Sequence, residues 1–139
     1  MAQATTDDER TVTRISHEVW TEGHLDVLNE VMADDIDGQL PGFPDLRTRD
    51  DYAQAVKSYR AAFPDFDVEL TEIVSTDGIV AIRYTVRGTH EGELMGIDPT
   101  DTEIEMNGNA ILHVTNGKVT EEWNYGDMAS LLQQLDALP

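Results

Sequence analysis

Apolar positions along this chain follow two periods, one of three to four residues up to Phe63 and one of two residues from Phe66 onward. Val12, Ile15, Val19 and Trp20 mark a first helix. Thr5 or Thr6 can cap it, and Asp7, Asp8 and Glu9 sit near the positive end of its dipole. Gly23 ends this helix. Leu25, Leu28 and Met32 form the stripe of a short second helix, and Ile36 to Leu40 reads as a brief extended piece. Pro41-Gly-Phe-Pro-Asp45 reads as a loop. Thr48 and Asp51 resemble a capping box for a third helix, in which Tyr52, Val56, Tyr59 and Phe63 share one face until Pro64 stops it.

Phe66, Val68, Leu70 and Ile73 predict a strand with a bulge near Glu72, because the alternation slips by one there. Thr76-Asp77-Gly78 turns the chain into a long strand over 79–89, apolar on parts of both faces and therefore central in a sheet. Gly88 to Gly92 closes that strand, and a loop over 95–99 precedes another strand from Thr102. Asn116-Gly117 is the strongest hairpin signal, since a two-residue type I′ turn needs positive φ at both central positions. Pairing outward from it sets Val114 opposite Val119, Leu112 opposite Glu121 and Ala110 opposite Trp123, with Asn124 on the other face unless a bulge intervenes. A face that carries Glu121 beside Trp123 is either a wet edge or the wall of a polar-tipped pocket. Asp127 caps a closing helix that runs to Leu135. Helices segregated to one side of a mostly antiparallel sheet make an α+β fold.

The 139 residues fit one domain over 1–139, with 1–6 expected to be flexible. No apolar run of membrane-spanning length occurs, and MAQATTDDERT lacks the basic and apolar regions of a signal peptide, so the expected location is cytoplasmic. With no cysteine, a disulfide framework, a thiol nucleophile and thiolate metal sites are excluded. The histidines are too scattered for a His-x-x-x-His metal pair, and no phosphate loop or serine elbow is present. The net charge of −19, from 28 acidic and 9 basic residues, opposes nucleic-acid binding. Dispersed carboxylates with only Lys57 and Lys118 as lysines suggest a surface adapted to high salt, where screening removes self-repulsion.

Two stretches, Gly88-Thr-His-Glu-Gly-Glu-Leu-Met-Gly-Ile-Asp-Pro-Thr100 and Asn116-Gly-Lys-Val-Thr-Glu-Glu-Trp-Asn-Tyr-Gly-Asp127 running into Leu131-Leu-Gln-Gln-Leu135, resemble the SnoaL-like family of polyketide and ester cyclases. That family lies within the nuclear transport factor 2-like superfamily, and Trp20-Thr-Glu-Gly-His-Leu-Asp-Val-Leu28 is similar to its first helix–helix junction. The resemblance implies a cone-shaped barrel, a strongly bent sheet wrapped around N-terminal helices, with a pocket at its open end. It also implies a homodimer through the outer sheet face and an intramolecular aldol step without metal or cofactor. In the relatives an aspartate near the end of the last strand moves the proton, accompanied by a histidine on the preceding strand. Those positions fall at Asn124 and Ala110 here, and an amide cannot shuttle a proton.

The candidate catalytic groups are therefore Glu121, Asp127 and Asn124. Glu121 against an indole in a half-closed cavity would gain a raised pKa, although an exposed edge glutamate is the plainer reading. Asp127 has helix capping as a sufficient reason to be there. His90 lies between Gly88 and Gly92, where it either lines the pocket mouth or fixes the loop through Asp98-Pro-Thr100. Trp20, Phe43, Tyr59 and Trp123 supply aromatic walls, and Asn107 and Asn109 are either pocket hydrogen-bonders or exposed strand positions. The ligand expected is a small, largely apolar carbonyl or ester compound. The function the resemblance leads one to expect is cofactor-free acid–base chemistry of the enolisation, lyase, isomerase or hydrolase type or, alternatively, binding alone.

Overall fold

The computed structural model describes residues 2–138. Helix α1, Asp7–Arg14, is capped by the Thr6 hydroxyl, which accepts from the Glu9 N–H, and continues as a π-helical stretch, Ile15–Thr21. Ile15, Ser16, Val19 and Trp20 of this stretch are all buried. Gly23 leaves this helix at φ 79°, and Arg60 donates to the carbonyls of Trp20 and Thr21 at its end. A single 3₁₀ turn, Leu25–Val27, leads into the short α2, Leu28–Val31.

Two strands then precede the third helix, where the sequence showed one brief extended piece and a loop. β1 is Met32–Leu40 and β2 is Phe43–Thr48, joined across Pro41-Gly42. Pro44 is tolerated because β2 is an edge strand, where one missing N–H costs no ladder bond. Helix α3, Arg49–Ala62, starts on the reciprocal Thr48–Asp51 capping box and buries Tyr52, Ala55, Val56, Tyr59 and Ala62. β3, Asp67–Thr76, and β4, Ile79–Thr89, pair antiparallel with a register shift between Leu70 and Glu72, where the bulge was expected. β5, Glu103–Thr115, and β6, Lys118–Gly126, follow, and α4, Met128–Gln134, closes the chain under an Asp127 cap.

The architecture is α+β: an open, mixed six-stranded sheet in the order β2-β1-β6-β5-β4-β3, curved around the N-terminal helices. All pairings are antiparallel except β1 with β6. β1 breaks register against both neighbours, and such breaks bend a strand and let the sheet wrap. Gly38 is required at this seam, since a Cβ there would meet the Glu122 carbonyl oxygen at 2.1 Å. Residues 2–6 lie along β3, where the Ala2 N–H donates to the Leu70 carbonyl and Thr6 meets Ser75. Residue 1 lies outside the described residues.

The hairpin after Asn116-Gly117 has the expected turn, with φ of 51° and 77°. Its register differs from the simple outward pairing. Val114 faces Val119, but His113 then faces Glu121, Leu112 faces Glu122, Ile111 faces Trp123 and Ala110 faces Asn124. One extra residue, Thr120, is accommodated in β6, and beyond this bulge every side chain changes face. Glu122 and Asn124 therefore point into the core, while Glu121, Trp123 and Tyr125 point outward.

Candidate functional site

Between α1 with its π-helical continuation, α3 and the inner face of the sheet lies a cavity of about 50 Å³. Its walls are mostly apolar: Val12, Ile15, Leu40, Phe66, Ile82, Val86, Met106 and Leu112 among them. Trp20 forms the centre of an aromatic cluster, with ring centroids 5.9 Å from Tyr52, 5.9 Å from Tyr59 and 5.4 Å from Phe66. The pairs with Tyr52 and Tyr59 are edge-on, a geometry that adds about 0.5–1.5 kcal/mol each beyond area burial, and the Phe66 ring is tilted against the indole. Ser16 brings a hydroxyl to the lining, and the Tyr59 hydroxyl donates to the Pro41 carbonyl at the β1–β2 turn.

One carboxyl group reaches this lining, that of Glu122, and the side chain is 4% exposed. The Tyr52 hydroxyl donates to its Oε1 at 3.0 Å, and Trp20 Nε1–H in turn donates to the Tyr52 oxygen at 2.9 Å. Asn124 Nδ2 donates to Oε2 at 2.9 Å, and the Tyr84 hydroxyl donates to Asn124 Oδ1 at 2.5 Å. Among the described residues no Lys, Arg or His lines the cavity, so the carboxylate has donors but no counter-charge there. Burial raises the Glu122 pKa, while the hydrogen bonds from Asn124 and Tyr52 lower it, and burial prevails. Burial likewise raises the hydroxyls of Tyr52, Tyr59 and Tyr84, with the Glu122 charge adding to the rise at Tyr52 and Tyr84. The three phenols stay protonated and serve as donors. The arrangement can hold a polar atom of a ligand next to a carboxyl that gains and loses a proton.

Tyr84 reaches Asn124 from two strands away. It stands on β4 opposite Gly108 of β5, and Gly108 stands opposite Gly126 of β6. A Cβ on Gly108 would lie 2.3 Å from the Tyr84 hydroxyl, so the missing side chain opens the lane through which the phenol crosses β5.

The sequence-derived candidates separate cleanly. Trp20, Tyr59 and Asn124 line the cavity. Glu121 and Trp123 do make a carboxylate–indole contact, Trp123 Nε1 to Glu121 Oε1 at 3.0 Å, but on the outer face of the sheet. The Thr120 bulge is the reason. Asp127 is exposed and accepts the Ser130 N–H as a helix cap, away from the cavity. Asn107 and Asn109 are exposed on the outer face, with Asn107 accepting from the Thr85 hydroxyl. Phe43 packs against Tyr59 from the edge strand without reaching the lining. His90 is fully buried, stacks near Phe63 and accepts the Thr100 N–H at Nδ1, which fixes the 90–102 loop. The adjoining Gly92 allows the chain to approach α3 closely, and the Glu91 and Gly92 N–H groups both donate to the Ala62 carbonyl.

Sequence reasoning missed Glu122, Tyr84 and Ser16. Tyr84 was legible as the polar-tipped member of the inward series Val80, Ile82, Tyr84, Val86. Glu122 was not, because nothing local to Thr120 announces the bulge. Ala110 and Asn124, where the resemblance places the relatives' histidine and aspartate, are direct cross-strand partners, both buried.

The family model for SnoaL-like polyketide cyclases matches residues 10–135. Among solved structures, IdmH from Streptomyces antibioticus, provisionally described as a polyketide cyclase, is 30% identical with a TM-score of 0.82, covering 94% of this chain and 99% of its own. A protein from Acidithiobacillus ferrooxidans, also provisionally described as a polyketide cyclase, is 23% identical with a TM-score of 0.87 over 96% and 97% of the two chains. AclR from Streptomyces galilaeus, provisionally described as a hydroxylase, is 27% identical with a TM-score of 0.83 over 98% and 89%. A search of curated proteins returned no match.

Proposed function

The chain belongs to the SnoaL-like polyketide cyclase family, and from that membership we propose that it enolises a small, largely apolar carbonyl or ester compound, without a cofactor, using Glu122 as the acid–base group. The observation that carries this reading is that, among the described residues, one carboxyl lines the apolar, aromatic-walled cavity, held by two neutral donors and no cation. A carboxylate with a raised pKa is a better base, and once protonated a proton source nearer to neutrality. Glu122 lies two residues before Asn124 on the same inward face, so a carboxyl is present one step along the strand from where the resemblance expects an aspartate. Glu122 takes the part that was expected of Glu121.

The test is deuterium exchange at the acidic C–H of a panel of hydrophobic β-keto esters and aryl ketones, followed by NMR. Glu122→Gln lowers the protein-catalysed exchange by about 10²–10⁴-fold, the usual contribution of a positioned acid–base group. Exchange that is unchanged by the substitution would sink the proposal. A second reading, a binding module, is favoured by the pairing of Ala110 with Asn124, neither of which moves a proton. It predicts ligand retention with no exchange above that of buffer.

A homodimer through the outer face is supported by an apolar row across four paired strands: Trp123, Ile111, Ala81 and Val74. Trp123, Ile111 and Val74 are 38%, 48% and 64% exposed, and Tyr125 beside them is 61% exposed. Light scattering should give twice the 15.5 kDa chain mass, and Ile111→Asp should return it to the single-chain value. A single-chain mass for the unmodified protein at tens of micromolar would remove the dimer.

A further inference from the structure

We propose that Asn124 is a positioning residue that ties the proton on Glu122 to the direction of the Tyr84 hydroxyl, so that proton uptake by the carboxyl frees a phenolic donor into the cavity. This rests on Glu122 being the acid–base group.

The hydrogen bonds around Glu122 form two arms of different kind. In the first, Trp20 Nε1–H donates to Tyr52, and Tyr52 donates to Glu122 Oε1. An indole N–H can only donate, so the Tyr52 hydrogen has Glu122 as its outlet in either protonation state. This arm is fixed. In the second, Tyr84 donates to Asn124 Oδ1 and Asn124 Nδ2 donates to Glu122 Oε2. That pattern fits a carboxylate. When Oε2 takes a proton, its O–H and the amide N–H face each other as two donors without an acceptor.

An amide resolves such a clash by turning over, because its oxygen and nitrogen are nearly the same size. After the turn, Oδ1 accepts from the Glu122 O–H, and Nδ2 donates to the Tyr84 oxygen. The Tyr84 hydrogen has then lost its acceptor, and Tyr84 lines the cavity. The groups facing Glu122 are Tyr52 from α3, Trp20 from the π-helical stretch, Tyr84 from β4 and Asn124 from β6. Gly38 of β1 pairs with Glu122, Leu112 of β5 stands opposite it, and Tyr59 of α3 lines the same cavity and stays protonated. None of these takes up a second proton in competition with the carboxyl.

For enolisation the consequence is a matched pair of events. The C–H bond next to the substrate carbonyl breaks, its electron pair becomes the C=C bond, and the carbonyl π pair moves onto oxygen. The proton resides on Glu122, so the negative charge has passed from the carboxylate to the enolate oxygen. Tyr84 donates a hydrogen bond to that oxygen and keeps its proton. Return of the proton from Glu122 to carbon reverses the amide and withdraws the donor. A donor aimed where charge develops assists the step more than the ground state.

The test uses the full chain without ligand, labelled with ¹³C at glutamate Cδ and tyrosine Cζ and with ¹⁵N at asparagine side chains, titrated by NMR. Glu122 Cδ, the Asn124 side-chain amide and Tyr84 Cζ should shift with one common midpoint. In Glu122→Gln the last two should no longer titrate and should sit at their low-pH positions, because the new NH₂ faces Asn124 as the carboxylic O–H did. In Asn124→Leu, Glu122 should still titrate while Tyr84 stays still. If that variant does not fold, Tyr84→Phe serves, with the Asn124 amide still following Glu122. A Tyr84 signal that stays flat through the Glu122 midpoint overturns the coupling. So does one that follows Glu122 equally in Asn124→Leu, or a Glu122 that never titrates in the folded protein. Deuterium exchange separates the two ideas. Exchange lost in Glu122→Gln with a flat Tyr84 removes only the coupling, whereas a coupled Tyr84 with exchange indifferent to Glu122 removes only the acid–base role.

Discussion

Glu122 puts a carboxyl into an interior that offers it two neutral hydrogen-bond donors and no opposite charge. Its folded pKa is raised, chiefly by burial, so the folded chain keeps this proton to higher pH than the unfolded chain does. Stability from this group is therefore lost as pH rises from the ordinary glutamate range through the raised value, and above that value the burial cost is fully present. Glu122→Gln should raise the melting temperature at pH 7–8, and the gain should shrink as pH falls toward the ordinary glutamate range. A gain that is equal at every pH would mean that the charge is not what burial penalises. Glu9, Asp51 and Asp65 run the other way. Their pKa values are lowered by hydrogen bonds, first from Ser75, the Arg47 backbone and the Thr89 backbone respectively, so they lose stability on acidification. Comparing variant with parent at each pH cancels them.

At the scale of elements, the site depends on one strand being thin where another must reach across it. Gly108→Ala would set a Cβ 2.3 Å from the Tyr84 hydroxyl and 2.9 Å from the Tyr125 carbonyl oxygen, and backbone cannot yield as a flexible side chain does. The expected cost is about 1–3 kcal/mol, typical of overpacking, read by urea unfolding. The Tyr84 ring should also be displaced from Asn124. A neutral Gly108→Ala would show that the lane has slack. The caps and turns around these elements were legible because their causes are local: Thr6, the Thr48–Asp51 box, Asp77-Gly78 and Asn116-Gly117 each settle φ or an orphan N–H within four residues. β1 and β2 were only partly legible. The charged and glycine-containing segments of β1, Ala33-Asp34-Asp35 and Asp37-Gly38, are made strand by pairing with β6 and β2 rather than by propensity.

Over the whole molecule, a charge of −19 spread on 139 residues makes the compact state repel itself. Thermal melts in molar salt should therefore give a clearly higher midpoint than melts at low ionic strength, where the Debye length is about 30 Å at 0.01 M. A flat salt response would remove the inference of a surface adapted to high salt. The helix stripes and the alternation of β4 and β5 determined by themselves that one face of one sheet is buried against helices. Val12, Val19, Tyr52 and Val80 are all at most 1% exposed, as those periods require. The motifs carried the family as well. Which of two adjacent glutamates enters the cavity was left to the pairing of distant strands. A strand has a period of two, so the single extra residue at Thr120 exchanges Glu121 and Trp123 for Glu122 and Asn124. That residue is accommodated through β6's pairing with two neighbours, the antiparallel β5 and the parallel β1. No local pattern encodes a pairing made with segments that are distant in sequence.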